Sequence, residues 1–439
     1  MMTSNPIQDW LDKIPHPRVI SQTQPPTKRQ KIDRETWILP LPAPSDDGLK
    51  RLFPAFQMDP HTPNKRRLDD ENNEATPRPN KTASNSSRSS LNIRLAPSDS
   101  SQSQRSGRSS PVKNFPINGI DGHCIGARTM DPDQFGFPLA LEDLMREMSE
   151  IGSKNGIVPE YLESEIQKPS QKQRSLKWLT KSAYTPSENF GLNRNNPLPA
   201  DRLLANVENL TLFGRRCYEL QLDEAGWNKE VHTPILQAVF RGDLWPDQAI
   251  VDYFPCMNAS VTPEHHRFPI QPSKVDYCIF INPESDQDYD HIKEAINKLQ
   301  TPSTGSLNHT SYNGLSKFPL CVSIETRRYG GDQRRADVQT ATWHASQWTF
   351  LTREAGDGIS ELPFLPGVVV QGHEWKFVAT TRRGEETTFW SSCQFGNTTT
   401  AVGGFQVMAG LHVLRRWSRD MYWPWYKKHV LKFAEPIAT

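Results

Sequence analysis

The chain of 439 residues predicts an α/β fold: a central mixed sheet flanked by helices, after a long disordered N-terminal tail. Three observations carry that expectation. Short apolar runs rich in β-branched residues, at 275–281, 320–324, 367–371, 375–380 and 387–392, read as strands. Longer segments with apolar residues every three or four positions fall before and between them and read as helices. The first hundred-odd residues instead hold Pro, Ser, Asn, Gln and charge with few aromatic or β-branched side chains, too little apolar surface to offset the entropy of an ordered chain.

In chain order, residues 1–117 form the expected tail and 118–439 one folded domain with a sizeable core. The tail carries 18 Lys and Arg against 12 Asp and Glu, so it is basic, while the whole chain has a formal charge of only +1. Lys28-Arg29-Gln30-Lys31 and Lys65-Arg66-Arg67 are short basic clusters of nuclear-import type, or ordinary solvated charge. Residues 84–110 are of low complexity, and Ser110-Pro111-Val112-Lys113 fits a phosphorylation pattern.

Regular structure is expected from about Phe135, where Leu139, Leu141, Leu144, Met145 and Met148 recur at helical spacing. A polar stretch follows over 153–175 with a turn at Val158-Pro159, and 176–209 predicts only loops and short helices. A helical pattern resumes from Gln221 through Trp227, Val231, Ile235, Leu236 and Val239, with Thr233-Pro234 either kinking it or starting a new helix. Residues 288–299 predict a helix and 301–316 a polar loop, long enough to cover a groove or to be a tolerated insertion. Beyond a Gly330-Gly331 turn, a helix is expected over 335–353, then the three later strands, then a helix over 404–422 that Pro424 should break or kink.

Several function classes drop out. Cys124, Cys217, Cys256, Cys278, Cys321 and Cys393 show no C-x-x-C spacing and no paired histidines, which argues against zinc. Cys278 and Cys321 sit inside strand runs and read as small apolar residues. His232, His344, His373 and His412 lack partner spacing and read as structural. The N-terminus has no signal-peptide apolar region and no stretch reaches membrane-spanning length, so an intracellular, reduced protein without membrane contact is expected, nuclear or otherwise cytoplasmic. Phosphate-loop, dinucleotide and nucleophile-elbow patterns are absent. Arg415, Arg416, Arg419, Lys427 and Lys428 interleave with Trp417, Tyr422, Trp423, Trp425 and Tyr426, a mixture that grips single strands by charge and stacking or, more often on a terminal helix, packs on the sheet.

The chemistry-bearing feature is a split acidic pair. Asp276 opens one strand run, in Lys274-Val275-Asp276-Tyr277-Cys278, and Glu325 closes another, in Ser323-Ile324-Glu325-Thr326-Arg327. Neighbouring strands can bring two such carboxylates together as oxygen donors for Mg²⁺ or Mn²⁺. Glu325 and Arg327 are two apart and so share a strand face. A cation beside metal-binding carboxylates suits phosphodiester hydrolysis. Arg328, Arg334 and Arg335 extend this basic stretch, which can neutralise phosphates or be a plain charged turn.

These residues resemble the PD-(D/E)xK nuclease superfamily, and most closely its uncharacterised fungal-type members, from about Pro138 to the C-terminus. Gln339-Thr340-Ala341-Thr342-Trp343 looks like the Gln-x-x-x-Tyr element after the active-site strand of RecB-type nucleases, with Trp at the aromatic position. Residues 224–232 look like the first core helix, which often carries a further acidic ligand, here Glu224 or Glu230, and 366–375 with the helix from about Ala401 look like the C-terminal part. The resemblance implies a restriction-endonuclease-like core and a metal-dependent nuclease acting on DNA or RNA. Asp276, Glu325, Glu224 and the Thr326 carbonyl would be metal ligands, Arg327 the catalytic cation and Gln339 a supporting residue. Two positions depart from the pattern, with Val275 in place of Pro and Arg327 in place of Lys. Guanidinium stays protonated where lysine can shift its pKa, so a catalytically weak or inactive relative, binding nucleic acid or protein, is the alternative. Strandedness and oligomeric state are left open.

Overall fold

The computed structural model describes residues 115–190, 199–242, 249–270, 274–300 and 305–433. The expected tail up to residue 114, with its basic clusters and Ser110, lies outside them. In chain order the strands are β1 (Ile117–Asn118), β2 (Cys124–Thr129), β3 (Val158–Pro159), β4 (Tyr184–Thr185), β5 (Val251–Pro255), β6 (Tyr277–Ile281), β7 (Leu320–Arg327), β8 (Leu365–Gln371), β9 (Glu374–Arg383) and β10 (Glu386–Asn397). The larger helices are α1 (Leu139–Gly152), α2 (Ala200–Glu219), α3 (from Glu224–Trp227 to Gln237–Arg241), α4 (Tyr289–Leu299), α5 (Gln333–Ala355) and α6 (Ala401–Trp417, extended by Ser418–Tyr422 and Trp423–His429).

Eight strands form one mixed sheet in the order β1-β2-β10-β9-β8-β7-β6-β5. Two of its pairings are parallel, β7 with β8 and β2 with β10, and the other five are antiparallel. β3 and β4 make a separate two-stranded ribbon. The parallel β7–β8 pair needs a crossover, and α5 supplies it. Period-2 alternation splits the core into layers: Val369, Val378 and Phe389 face Ala336, Val338, Ala341 and Ala345 of α5. Val368, Val370, Phe377, Ala379 and Trp390 belong instead to the large cluster with Leu144 and Met148 of α1, Val207 of α2 and Phe405 and Leu411 of α6. Helices therefore cover both faces. Gly367 lets α5 approach β8, since a Cβ there would come 3.1 Å from the His344 ring and 3.3 Å from a Thr340 methyl.

The expected boundary at 117/118 falls inside β1. Ile117 pairs with Ile125, is 2% exposed, and lies in one core cluster with Phe389, while Phe115 stacks on that Phe389 ring at 5.8 Å. Regular structure thus begins some eighteen residues before Phe135. Three further expectations change. Val158-Pro159 pairs with Tyr184-Thr185 as a strand rather than turning freely. The 20-residue α2 occupies ground read as loops and short helices; it buries Leu203, Val207, Leu210, Gly214 and Cys217. The described part of the 301–316 loop, 305–316, packs inward: Leu307 and Leu315 are fully buried, and Asn308 Nδ2 donates to the Leu315 and Phe318 carbonyls at 2.8 and 2.9 Å.

Neither proline breaks its helix. In α3 a π turn, Asn228–His232, directly precedes Thr233-Pro234; in α6 a π turn, Ser418–Tyr422, directly precedes Trp423-Pro424. Proline has no N–H to donate and its ring crowds the carbonyl four residues back. A wider turn placed before it removes that clash and lets the helix continue. The same turn in α3 positions the site.

Candidate active site

The C-terminal end of β7 holds Glu325, Thr326 and Arg327, alternating across the sheet. On the α5 side, Ser323 Oγ lies 2.6 Å from His344 Nε2 and Arg327 Nη2 donates to Gln339 Oε1. Gln339 Nε2 in turn donates to the Lys274 carbonyl at 3.3 Å. Asp276, just before β6, is hydrogen-bonded to β7, its N–H to the Ile324 carbonyl at 3.1 Å. Its Oδ2 accepts the Thr326 N–H at 2.8 Å and stands 2.8 Å from the Thr326 hydroxyl. Glu224 arrives from the first turn of α3, where Asp223 caps the helix by accepting the Gly226 N–H at 2.9 Å.

These groups meet at Arg327. Its Nη1 lies 2.5 Å from Glu325 Oε1, 2.7 Å from the Thr326 carbonyl and 3.2 Å from Glu224 Oε2. All six residues singled out in the sequence, Glu224, Asp276, Glu325, Thr326, Arg327 and Gln339, are thus joined in one contact network. Of the two acidic candidates on α3, Glu224 reaches it. Glu230 is six residues further along α3, 3.9 Å from Lys229 Nζ.

Burial sets the electrostatics. Glu325 is 1% exposed and Asp276 6% exposed. Burial pushes the Glu325 carboxyl well above its ordinary range, and the neighbouring Asp276 charge pushes the same way against Arg327. Asp276 is raised by burial, with the two Thr326 hydrogen bonds opposing, and Glu224 by burial and by Asp276. Burial also works against the Arg327 charge, but Glu325, Glu224 and Asp276 together outweigh it and hold that group above its usual value. Three carboxylates thus share one cation. Glu325 Oε1 meets Arg327 Nη1 as a close ion pair, with charge attraction and a guanidinium hydrogen bond both opposing the effect of burial on the carboxyl.

A second network, not foreseen from the sequence, braces Thr326. Asn228 Oδ1 lies 2.8 Å from both Thr326 Oγ1 and His232 Nδ1, while the buried Asn228 Nδ2 has no partner. His232 is fully buried, and burial lowers its pKa to about 4, so it is neutral with a single ring proton. The Gly372 carbonyl, 3.2 Å from Nε2, can only accept and therefore fixes that proton on Nε2. Nδ1 is then bare, and a half-turn of the Asn228 amide that exchanges its oxygen and nitrogen gives every donor an acceptor. In that arrangement Asn228 donates to His232 and to the Thr326 hydroxyl, whose own proton is left for Asp276. Gly372 closes the loop, its N–H donating to the Arg327 carbonyl at 2.8 Å from a φ of +56° that suits glycine. The signal for this network was spacing: Glu224, Asn228 and His232 follow one another at four-residue intervals on α3.

A model of the PD-(D/E)XK nuclease superfamily matches residues 165–423. The chain belongs to that superfamily. No curated protein and no solved structure matches it. Members of the superfamily typically use divalent metals. The donors here fit a hard divalent cation by type, being carboxylate oxygens of Glu224, Asp276 and Glu325 with one backbone carbonyl. Among the described residues no three His, Cys, Asp and Glu side chains form a ready-made metal cluster; the cation touching these oxygens is Arg327.

The basic and aromatic C-terminal helix does not offer a stacking platform. Trp417, Tyr422, Trp423, Trp425 and Tyr426 are all buried in the main core. Arg416 pairs with Glu147, Arg419 with Asp420, Lys427 with Asp286 and Asp288, and Lys428 with Glu361. No helix among the described residues is long and apolar enough to cross a membrane.

Proposed function

We propose that the protein hydrolyses phosphodiester bonds in a nucleic acid with Mg²⁺ or Mn²⁺. The observation that carries this reading is the convergence of Glu325, Glu224 and the Thr326 carbonyl on one cation position, with Asp276 beside it and Gln339 opposite. The metal would be held by Asp276, Glu325, Glu224 and the Thr326 carbonyl, and when bound would supply Lewis acidity and a more acidic water. The chain's own residues do the rest. Thr326 orients the Asp276 carboxylate by two donated hydrogen bonds, and Arg327, permanently charged, is suited to bind a phosphate oxygen through its fork of donors. Gln339 holds the second arm of that fork.

A second reading, an inactive relative that binds nucleic acid through the same surface, is favoured by the engagement of Arg327 with the carboxylates. Cleavage of single- and double-stranded DNA and RNA in Mg²⁺ or Mn²⁺ separates the two. Asp276→Ala and Glu325→Ala should each abolish cleavage while leaving binding intact or tighter. Cleavage that survives both changes refutes the proposed site. Absent cleavage with salt-dependent binding retained selects the inactive relative.

A further inference from the structure

Resting on that reading and extending it, we propose that Arg327 is a resident cation. Its guanidinium occupies the position from which Glu224, Glu325 and the Thr326 carbonyl would hold a divalent ion, and Gln339 latches it there. Metal and arginine therefore compete for one set of oxygens.

The contacts are those of a bound cation. One nitrogen, Nη1, touches oxygens from α3, from the Glu325 side chain and from the β7 backbone, at 3.2, 2.5 and 2.7 Å. The other arm, Nη2, is held by Gln339, whose amide is itself tied to the Lys274 carbonyl at 3.3 Å. The Arg327 side chain is 12% exposed, so it is enclosed rather than waving in solvent. Independently, Glu325 is 1% exposed with Oε1 aimed at this position, where it meets the guanidinium at 2.5 Å. A carboxylate buried this deeply requires a cation at its oxygen, and a metal ion can meet that requirement in place of the guanidinium. Arg335 also acts on Glu224 electrostatically, but it is exposed and makes no contact with these oxygens in the network described. It supplies charge to the site without occupying it.

The test is Mn²⁺ binding by the full chain, read as free Mn²⁺ by electron paramagnetic resonance, for the wild type, Arg327→Met, Gln339→Leu and Arg335→Met. Removing the resident charge should tighten binding about tenfold or more, whereas Arg335→Met should stay within about twofold because an exposed charge is screened. Gln339→Leu keeps the charge and removes the latch, so it should tighten binding by an intermediate factor, and it carries the test should Arg327→Met fold poorly. In chelator Arg327→Met should also melt below the wild type and recover on adding Mn²⁺. Equal affinities for the wild type, Arg327→Met and Gln339→Leu, or equal gains from Arg327→Met and Arg335→Met, overturn the resident-cation proposal and leave the metal reading standing. No Mn²⁺ binding by any form overturns both.

Discussion

Replacing Thr326 by valine isolates the hydroxyl that links the acidic pair to α3. Valine keeps the volume and the branched Cβ, so β7 should persist; what disappears is one oxygen, fully buried and 2.8 Å from both Asp276 Oδ2 and the Asn228 amide. Asp276 Oδ2 keeps the Thr326 N–H at 2.8 Å and is not orphaned. The loss is then one hydrogen bond to a buried carboxylate, about 1.5–3 kcal/mol, with any stranded Asn228 donor adding to it. Thr326→Ser is the complementary change, keeping the hydroxyl and removing a buried methyl at about 1 kcal/mol. Urea denaturation of both variants beside the wild type gives the stabilities, and the cleavage assay gives the functional counterpart. Valine should cost more than serine in stability and should lower cleavage, while serine keeps most of it. A valine variant within about 0.5 kcal/mol of wild type would mean that the hydroxyl does not hold Asp276, because an unperturbed surface-like change has that size.

Three further outcomes are expected. His344 is fully buried between Ser323 and Thr380, and burial lowers its pKa to about 3. Such a histidine stabilises the fold above its unfolded value near 6.5 and loses that contribution as pH falls toward 3, so between pH 7 and 5 it alone removes about 2 kcal/mol. His344→Gln should close its stability gap to wild type by about that amount at pH 5, and a gap that stays constant with pH refutes the assignment. Trp423→Ala should cost about 3–5 kcal/mol in urea denaturation, since the ring is 2% exposed, and should leave nucleic-acid affinity of the folded fraction unchanged. A fragment beginning at Gly119 loses Ile117 and the Phe115–Phe389 stack and should be measurably less stable than one beginning at Pro111; equal melting would show that β1 contributes nothing.

Strands β6 to β10 were legible because each is either alternating or continuously apolar between turn residues; β5, only five residues long and ending in Pro255, was not. The run Val368-Val369-Val370 can only be a strand buried on both faces, and so it is. α2 was missed although Leu203, Val207, Leu210, Gly214 and Cys217 keep a 4-3-4-3 spacing, because the polar residues between them and Pro197 and Pro199 just ahead suggested loop. β1 and β2 were missed for a different reason. Ile117 and Ile125 are the only aliphatic residues fully committed to the core there, and their strands gain their apolar surroundings from Phe389 and Val378, more than 250 residues away. Local pattern carries no trace of such a partner.

The site shows the same division between what sequence order encodes and what packing adds. Asp276, Glu325, Arg327 and Gln339 could be read in advance because each sits at a fixed offset from a strand end or helix start, and those offsets survive folding. Choosing Glu224 over Glu230 could not be done that way, because it depends on the phase of α3. The π turn at Asn228–His232 changes that phase between the residues that face the core and those that face β7, and Pro234 is the residue that calls for it. A proline that seemed to threaten the helix is therefore bound up with the placement of Glu224 against Arg327 and of Asn228 against Thr326. The departure at Arg327 gains a physical meaning from the same geometry. A lysine offers one compact charge, whereas the guanidinium spans the distance between the carboxylates on one arm and Gln339 on the other. The arginine is thus the centre of the site's charge balance, and any account of activity in this chain has to begin with what moves it.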